Sequence, residues 1–174
     1  MHPSGMSEMP ADPWRRPALM AATGCVALAF GLLVYLLDRS PTRALLIPSI
    51  ATLAGSPMFG VIGQWLPSFA HPFAFSLFTA AALKPRARPR YDACIAWGAI
   101  NVAFEFGQHP LLSGRLSEAL QDTLGRTAPV RAVANYFVRG TFDVGDVLAA
   151  LAGALAAGVV LHQLQPRPEP EHAR

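Results

Sequence analysis

Residues 18–37, "ALMAATGCVALAFGLLVYLL", run for twenty positions without a charged side chain. A helix rising 1.5 Å per residue carries such a run about 30 Å, the thickness of a bilayer's hydrocarbon layer. Arg15 and Arg16 stand before it and Asp38 ends it. A cleaved secretory signal is the rival reading. This run exceeds the usual ~7–15 residue apolar core of such signals, and no small-x-small cleavage pattern follows. It is read as a retained membrane anchor.

The rest of the chain agrees. Over 174 residues, 52% are hydrophobic and only 14% are charged, against about a quarter charged in soluble domains. Three further apolar spans are expected at about 68–83, 91–108 and 142–163. A broken apolar stretch, 44–66, contains Pro48, Gly55, Ser56 and Pro57. It is expected to be re-entrant or interfacial, with a fifth crossing as the alternative. The tails, 1–16 and 165–174, are rich in Pro and polar residues and are expected to be disordered. The fold class is therefore all-α, a polytopic membrane bundle of four spans plus one irregular segment. Cys25 and Cys94 lie in apolar runs and are read as small buried thiols without a disulfide.

Basic residues orient this bundle. With four spans, Arg15, Arg16, Lys84, Arg86, Arg88, Arg90, Arg167 and Arg174 share one side, and six arginines remain elsewhere. The dense cluster argues that this side, with both termini, is cytoplasmic in the inner membrane. Nucleic acid is not implied as a partner. Between the third and fourth spans, "SGRLSEALQDTLG" (113–125) repeats Leu116, Leu120 and Leu124 every four residues. It is expected to be an amphipathic helix on the outer side.

That orientation sets His71, Glu105, Gln108, Asp143 and Asp146 near the outer ends of three spans, with Arg139 just before the last. Glu105, in "FEFGQH" (104–109), is the most telling. A carboxylate at the centre of a membrane helix costs about 2.5–3.5 kcal/mol, so such groups face the bundle interior and pair. Asp143 and Asp146 also suit a helix N-terminus. Asn101, one turn inside Glu105, suits a helix–helix hydrogen bond. Gly145, Ala149, Gly153 and Ala157 recur every four residues. That stripe admits close packing within the chain or between two copies.

The segments "LPSFAHPFAFSLFTAAAL", "FEFGQ" and "RGTFDVGDVLAALAG", in this order, resemble the VanZ-like integral membrane proteins, named for an accessory factor in resistance to glycopeptide antibiotics such as teicoplanin. The resemblance covers about 65–160. It implies that His71, Glu105, Gln108, Arg139 and Asp146 are the family's shared polar residues, and that the setting is the cell envelope. Two features depart from that pattern. Ala150 stands where the family has an Asn four residues after the Asp, and thirty-one positions separate Gln108 from Arg139 where the family has a short loop.

The expected function is recognition, at an outward polar pocket, of a lipid-linked cell-wall precursor or peptidoglycan-type ligand among the membrane lipids. The alternative is an outer-leaflet hydrolase or transferase acting on a lipid head group, with Glu105 or Asp146 as base and His71 as acid or metal ligand. No HExxH sequence, nucleophile motif or phosphate-cradling loop is present, and no cofactor or metal is implied. Ion-coupled transport lacks a charge deep in the membrane.

Overall fold

The computed structural model describes residues 14–38, 59–83 and 90–164. They form six helices and, among the described residues, no strand. These are α1 (Arg15–Asp38), α2 (Gly60–Ala82), α3 (Tyr91–Gly107), α4 (Pro110–Leu124), α5 (Ala128–Arg139) and α6 (Val144–Gln163).

α1, α3 and α6 follow the apolar runs closely. α2 does not. It begins eight residues before the expected span and runs through Pro67 and Pro72. Proline breaks a solvated helix, but neighbouring helices can hold a kinked one together. The Pro72 ring is fully buried and packs where α6 has Gly153. Residues 60–66 thus belong to α2 and not to an irregular segment. The rest of that segment, 44–58, and both expected tails except for Trp14–Arg16 lie outside the described residues.

α2 is the central helix. It runs antiparallel to α1, with Gly24 against the Phe78 ring and Gly31 against Ala70. It runs parallel to α6, with Trp65 on Gly145 and the Phe69 carbonyl on Gly153. α3 is antiparallel to both. Trp97 Nε1 donates to Thr79 Oγ1 at 2.9 Å, and Gly98 meets Ala154. Phe73, Leu77, Ala80, Cys94, Ala157 and Leu161 form the core between these helices. The glycine stripe of α6 is therefore occupied by α2 of the same chain. Cys94 is buried, but Cys25 is exposed on the outer face of α1, contrary to expectation. Its helical position turns it away from α2, which Gly24 and Gly31 face.

This packing brings the end of α1, the start of α2, the end of α3 and the start of α6 to one end of the bundle. α4 and α5 form a hairpin between α3 and α6 at that same end. α4 starts three residues earlier than expected, with Pro110 in its first turn and His109 Nδ1 accepting from the Leu111 N–H at 3.3 Å. α5 was not expected at all. At the opposite end Tyr91 Oη and His162 Nδ1 are 3.2 Å apart.

By length and composition, α1 (over Arg15–Tyr35) and α6 can each cross a membrane, both at mean hydropathy 2.1. Among the described residues only these two do so. α3 has 17 residues, short of the ~20 a span usually needs. α2 interrupts its apolar character with Gln64, Ser68 and His71.

Candidate functional site

The polar end of the bundle is built from three helix ends and the hairpin. Asp143 is the N-cap of α6, and its Oδ1 accepts from the Gly145 N–H at 2.7 Å. This is a capping role, satisfying a backbone donor that the first turn leaves free. One turn on, Asp146 points toward α2, where Ser68 Oγ donates to its Oδ1 at 2.7 Å. Trp65, one turn before Ser68, lays its indole on Gly145. A side chain at 145 would displace that ring.

Gln108 is buried, and its Nε2 donates to Tyr136 Oη at 2.9 Å. Its carboxamide lies so close to Gly140 that a Cβ there would overlap it. The long interval between Gln108 and Arg139 therefore folds into α4 and α5, and brings Gln108 against the residue after Arg139. Arg139 itself is exposed on the last turn of α5. Among the described residues it makes no hydrogen bond or ion pair.

Glu105 is half-buried, and its Oε2 is shut off from solvent. The Gly98–Ala154 contact gives its level. Counting seven residues along each antiparallel helix sets Glu105 beside Val147, next to Asp146 in α6. Aromatic rings close over this region. Phe104 meets Phe137 at 5.4 Å, and Phe142 lies against Phe106 at 5.4 Å and His109 at 5.3 Å.

His71 is not gathered into this set. Its ring is exposed and stacks on Phe75 at 6.2 Å, and Nδ1–H donates to the Pro67 carbonyl at 2.7 Å. His71 follows Ser68 by one turn, yet among the described residues its ring bonds only the Pro67 carbonyl of its own helix and does not join the Ser68–Asp146 pair. Asn101 bonds the Trp97 carbonyl of its own helix at 2.8 Å.

Among the described residues no three His, Cys, Asp or Glu side chains come together as metal ligands would. Glu105, Gln108, Asp146 and the cap Asp143 share the polar end. Ser68, Trp65 and Tyr136 join them, and sequence reading missed all three. Ser68 was findable in principle, as a hydroxyl at the first position of the expected span 68–83. Tyr136 became readable only with α5 in place.

The Ser68–Asp146 bond gives a measurable expectation. Hydrogen bonds to a charged group contribute about 1.5–3 kcal/mol. A double-mutant cycle of Ser68→Ala and Asp146→Asn, read by thermal unfolding in detergent, should return a coupling in that range. A coupling near zero would mean the two helices do not meet through this pair.

No protein-family model matches the chain, and no curated protein or solved structure is similar to it.

Proposed function

We propose that the chain is a four-span protein of the cytoplasmic membrane, VanZ-like in its arrangement of polar residues, with both termini in the cytoplasm. Its polar end faces outward and recognises the head of a lipid-linked or peptidoglycan-type envelope molecule. The observation that carries this reading is the Ser68–Asp146 bond. It holds a carboxylate between two helices at the end where Glu105 and Gln108 also sit.

The surface supports a bilayer setting. Val26, Ile62, Ile95 and Leu155, one on each long helix, are all about 70% exposed or more. Apolar faces of that extent on every side of a bundle suit lipid. Of the polar positions in α2, Ser68 is partnered by α6, while Gln64 and His71 are exposed. At the polar end the chemistry is that of a binding site. Carboxylates of Asp146 and Glu105 accept from ammonium or hydroxyl groups, and Trp65 offers an aromatic face. Arg139, at the rim, suits phosphate.

Binding is tested with the reconstituted full chain, using a short-chain prenyl diphosphate-sugar and, separately, a soluble peptidoglycan fragment. Titration is followed by tryptophan fluorescence. Asp146→Asn and Glu105→Leu should each weaken the better ligand roughly tenfold, the loss of one charge-assisted bond. Unchanged affinity in both variants would end the reading. In cells, Glu105→Leu should insert normally yet change glycopeptide susceptibility as a deletion does.

Orientation has its own test. Glu118→Cys, in a chain without Cys25 and Cys94, should react with an impermeant thiol reagent on intact cells. Labelling only after lysis would overturn it.

A further inference from the structure

We infer that the α4–α5 hairpin lies in the plane of the outer membrane interface and grips phospholipid phosphates with Arg126, Arg131 and Arg139. This rests on the membrane reading above and adds a lipid-binding surface to it.

The argument starts with α5. Val130, Ala134 and Phe137 form the stripe that it turns inward, with Ala134 fully buried. At about 100° per residue, Val133 and Tyr136 flank that stripe on one side and Val138 on the other. They are 44%, 42% and 54% exposed. Arg131, Asn135 and Arg139, four residues apart, hold the opposite face. The apolar arc therefore spans about 200°; the bundle covers its middle and holds Tyr136 through Gln108 and Phe104, and Val133 and Val138 are left open. A helix capping a bundle in water would carry polar residues on both flanks. α4 repeats the pattern. Leu116 and Leu120 are half-buried, while Leu112 and Leu124 are 47% and 61% exposed.

The charges complete the surface. Residues 110–140 hold four arginines, two acids and no lysine. Arg131 Nη1 donates to the Arg126 backbone carbonyl at 2.9 Å, which holds the Arg131 guanidinium at the α4–α5 turn, where Leu124 is exposed. The nearest counter-charge, Asp122, is 3.7 Å from Arg126 with both side chains exposed, a weak pair. Exposed arginines beside an apolar arc, each with guanidinium donors to spare, match a layer of phosphates above acyl chains. The hairpin is tied between α3 and α6, whose exposed apolar residues include Ile95 and Leu155. A soluble partner would have to cover both the leucines and the guanidinium groups with no acidic complement supplied by this chain.

The test uses the full chain without its native cysteines, in lipid nanodiscs. Single cysteines at 133, 135, 138 and 155 carry a polarity-sensitive fluorophore. One quencher is dissolved in water and another is attached to acyl chains. The label at 155 reports the bundle, and those at 133 and 138 report the hairpin. All three should answer to the acyl-chain quencher and 135 to the aqueous one. Arg126→Ser and Arg131→Ser should each raise the water-exposed to lipid-buried ratio at 138 about fivefold, the value of one basic residue at an anionic surface.

Labels at 133 and 138 in water while 155 stays in lipid would overturn this inference alone. Water at 155 would overturn the membrane reading beneath it. Shielding of 133 and 138 from both quenchers would mean that protein covers the hairpin. A ratio unmoved by losing both arginines would remove the phosphate contact.

Discussion

A Gly153→Leu protein is expected to lose its folded bundle. Position 153 is where α6 meets the backbone of α2. A Cβ there overlaps the Phe69 carbonyl oxygen and comes within 3.2 Å of the Pro72 ring. A flexible side chain can swing aside, but a carbonyl inside a helix cannot without breaking its own ladder. The helices must separate, and the core of Phe73, Leu77, Ala157 and Leu161 opens with them. Overpacking usually costs about 1–3 kcal/mol. Here the whole α2–α6 seam is at stake, so the cost belongs at or above the top of that range. Thermal unfolding and size-exclusion profiles in detergent provide the reading. Gly114→Ala is the control. Its site in α4 is open, and removing glycine from a helix gains up to about 1 kcal/mol. If Gly153→Leu unfolds like the parent, the close approach of α2 and α6 is wrong.

Gly140→Ala is expected to release the hairpin without unfolding the bundle. Gly140 has φ −69° and ψ 159°, which any residue adopts, so the backbone sets no demand for glycine. The demand comes from the Gln108 carboxamide, which occupies the space a methyl group would need. An alanine drives Gln108 out and breaks its bond to Tyr136. Phe137 then loses its seat on Gly107, where α5 presses closest to α3. Amide exchange around Ala134 and Phe137 should quicken roughly 10- to 100-fold, a local opening eased by about 1–3 kcal/mol. Gln108→Ala in the same protein makes room and should recover most of that protection. It still lacks one hydrogen bond, so a residual of roughly fivefold remains. Exchange in Gly140→Ala matching the parent, or a double variant no better than the single, would refute the latch.

The long helices were legible because uninterrupted apolar runs leave few alternatives. α1 and α6 show this best. α2 was mistimed because local rules treat proline as an end. Pro72 survives where α6 offers Gly153 and Pro67 lies by Gly31 of α1, facts held in residues far away in the chain. α5 escaped notice because it is short and its inward residues are separated by alanine and arginine. Yet Val130, Ala134 and Phe137 follow the i, i+4, i+7 rhythm that α4 displayed in leucine.

The polar end was partly legible. Depth along each span brought Glu105, Gln108 and Asp146 to one level, since antiparallel register follows from topology alone. Rotation about each helix axis does not, and it decided the rest. His71 turns to Phe75, and Asp143 turns back to its own backbone. Asp146 turns to a serine that carried no signal of its own.

The position of α2 has a bearing on how the chain is made. In the proposed membrane setting, α2 packs against α1, α3 and α6, and the last two are translated after it. A ribosome delivering this chain in order presents α2 when only α1 is there to receive it. There, the insertion machinery must shelter the Ser68 hydroxyl until Asp146 of α6 arrives to accept from it. Truncations that end before α6 should therefore be degraded rather than accumulate as partial bundles.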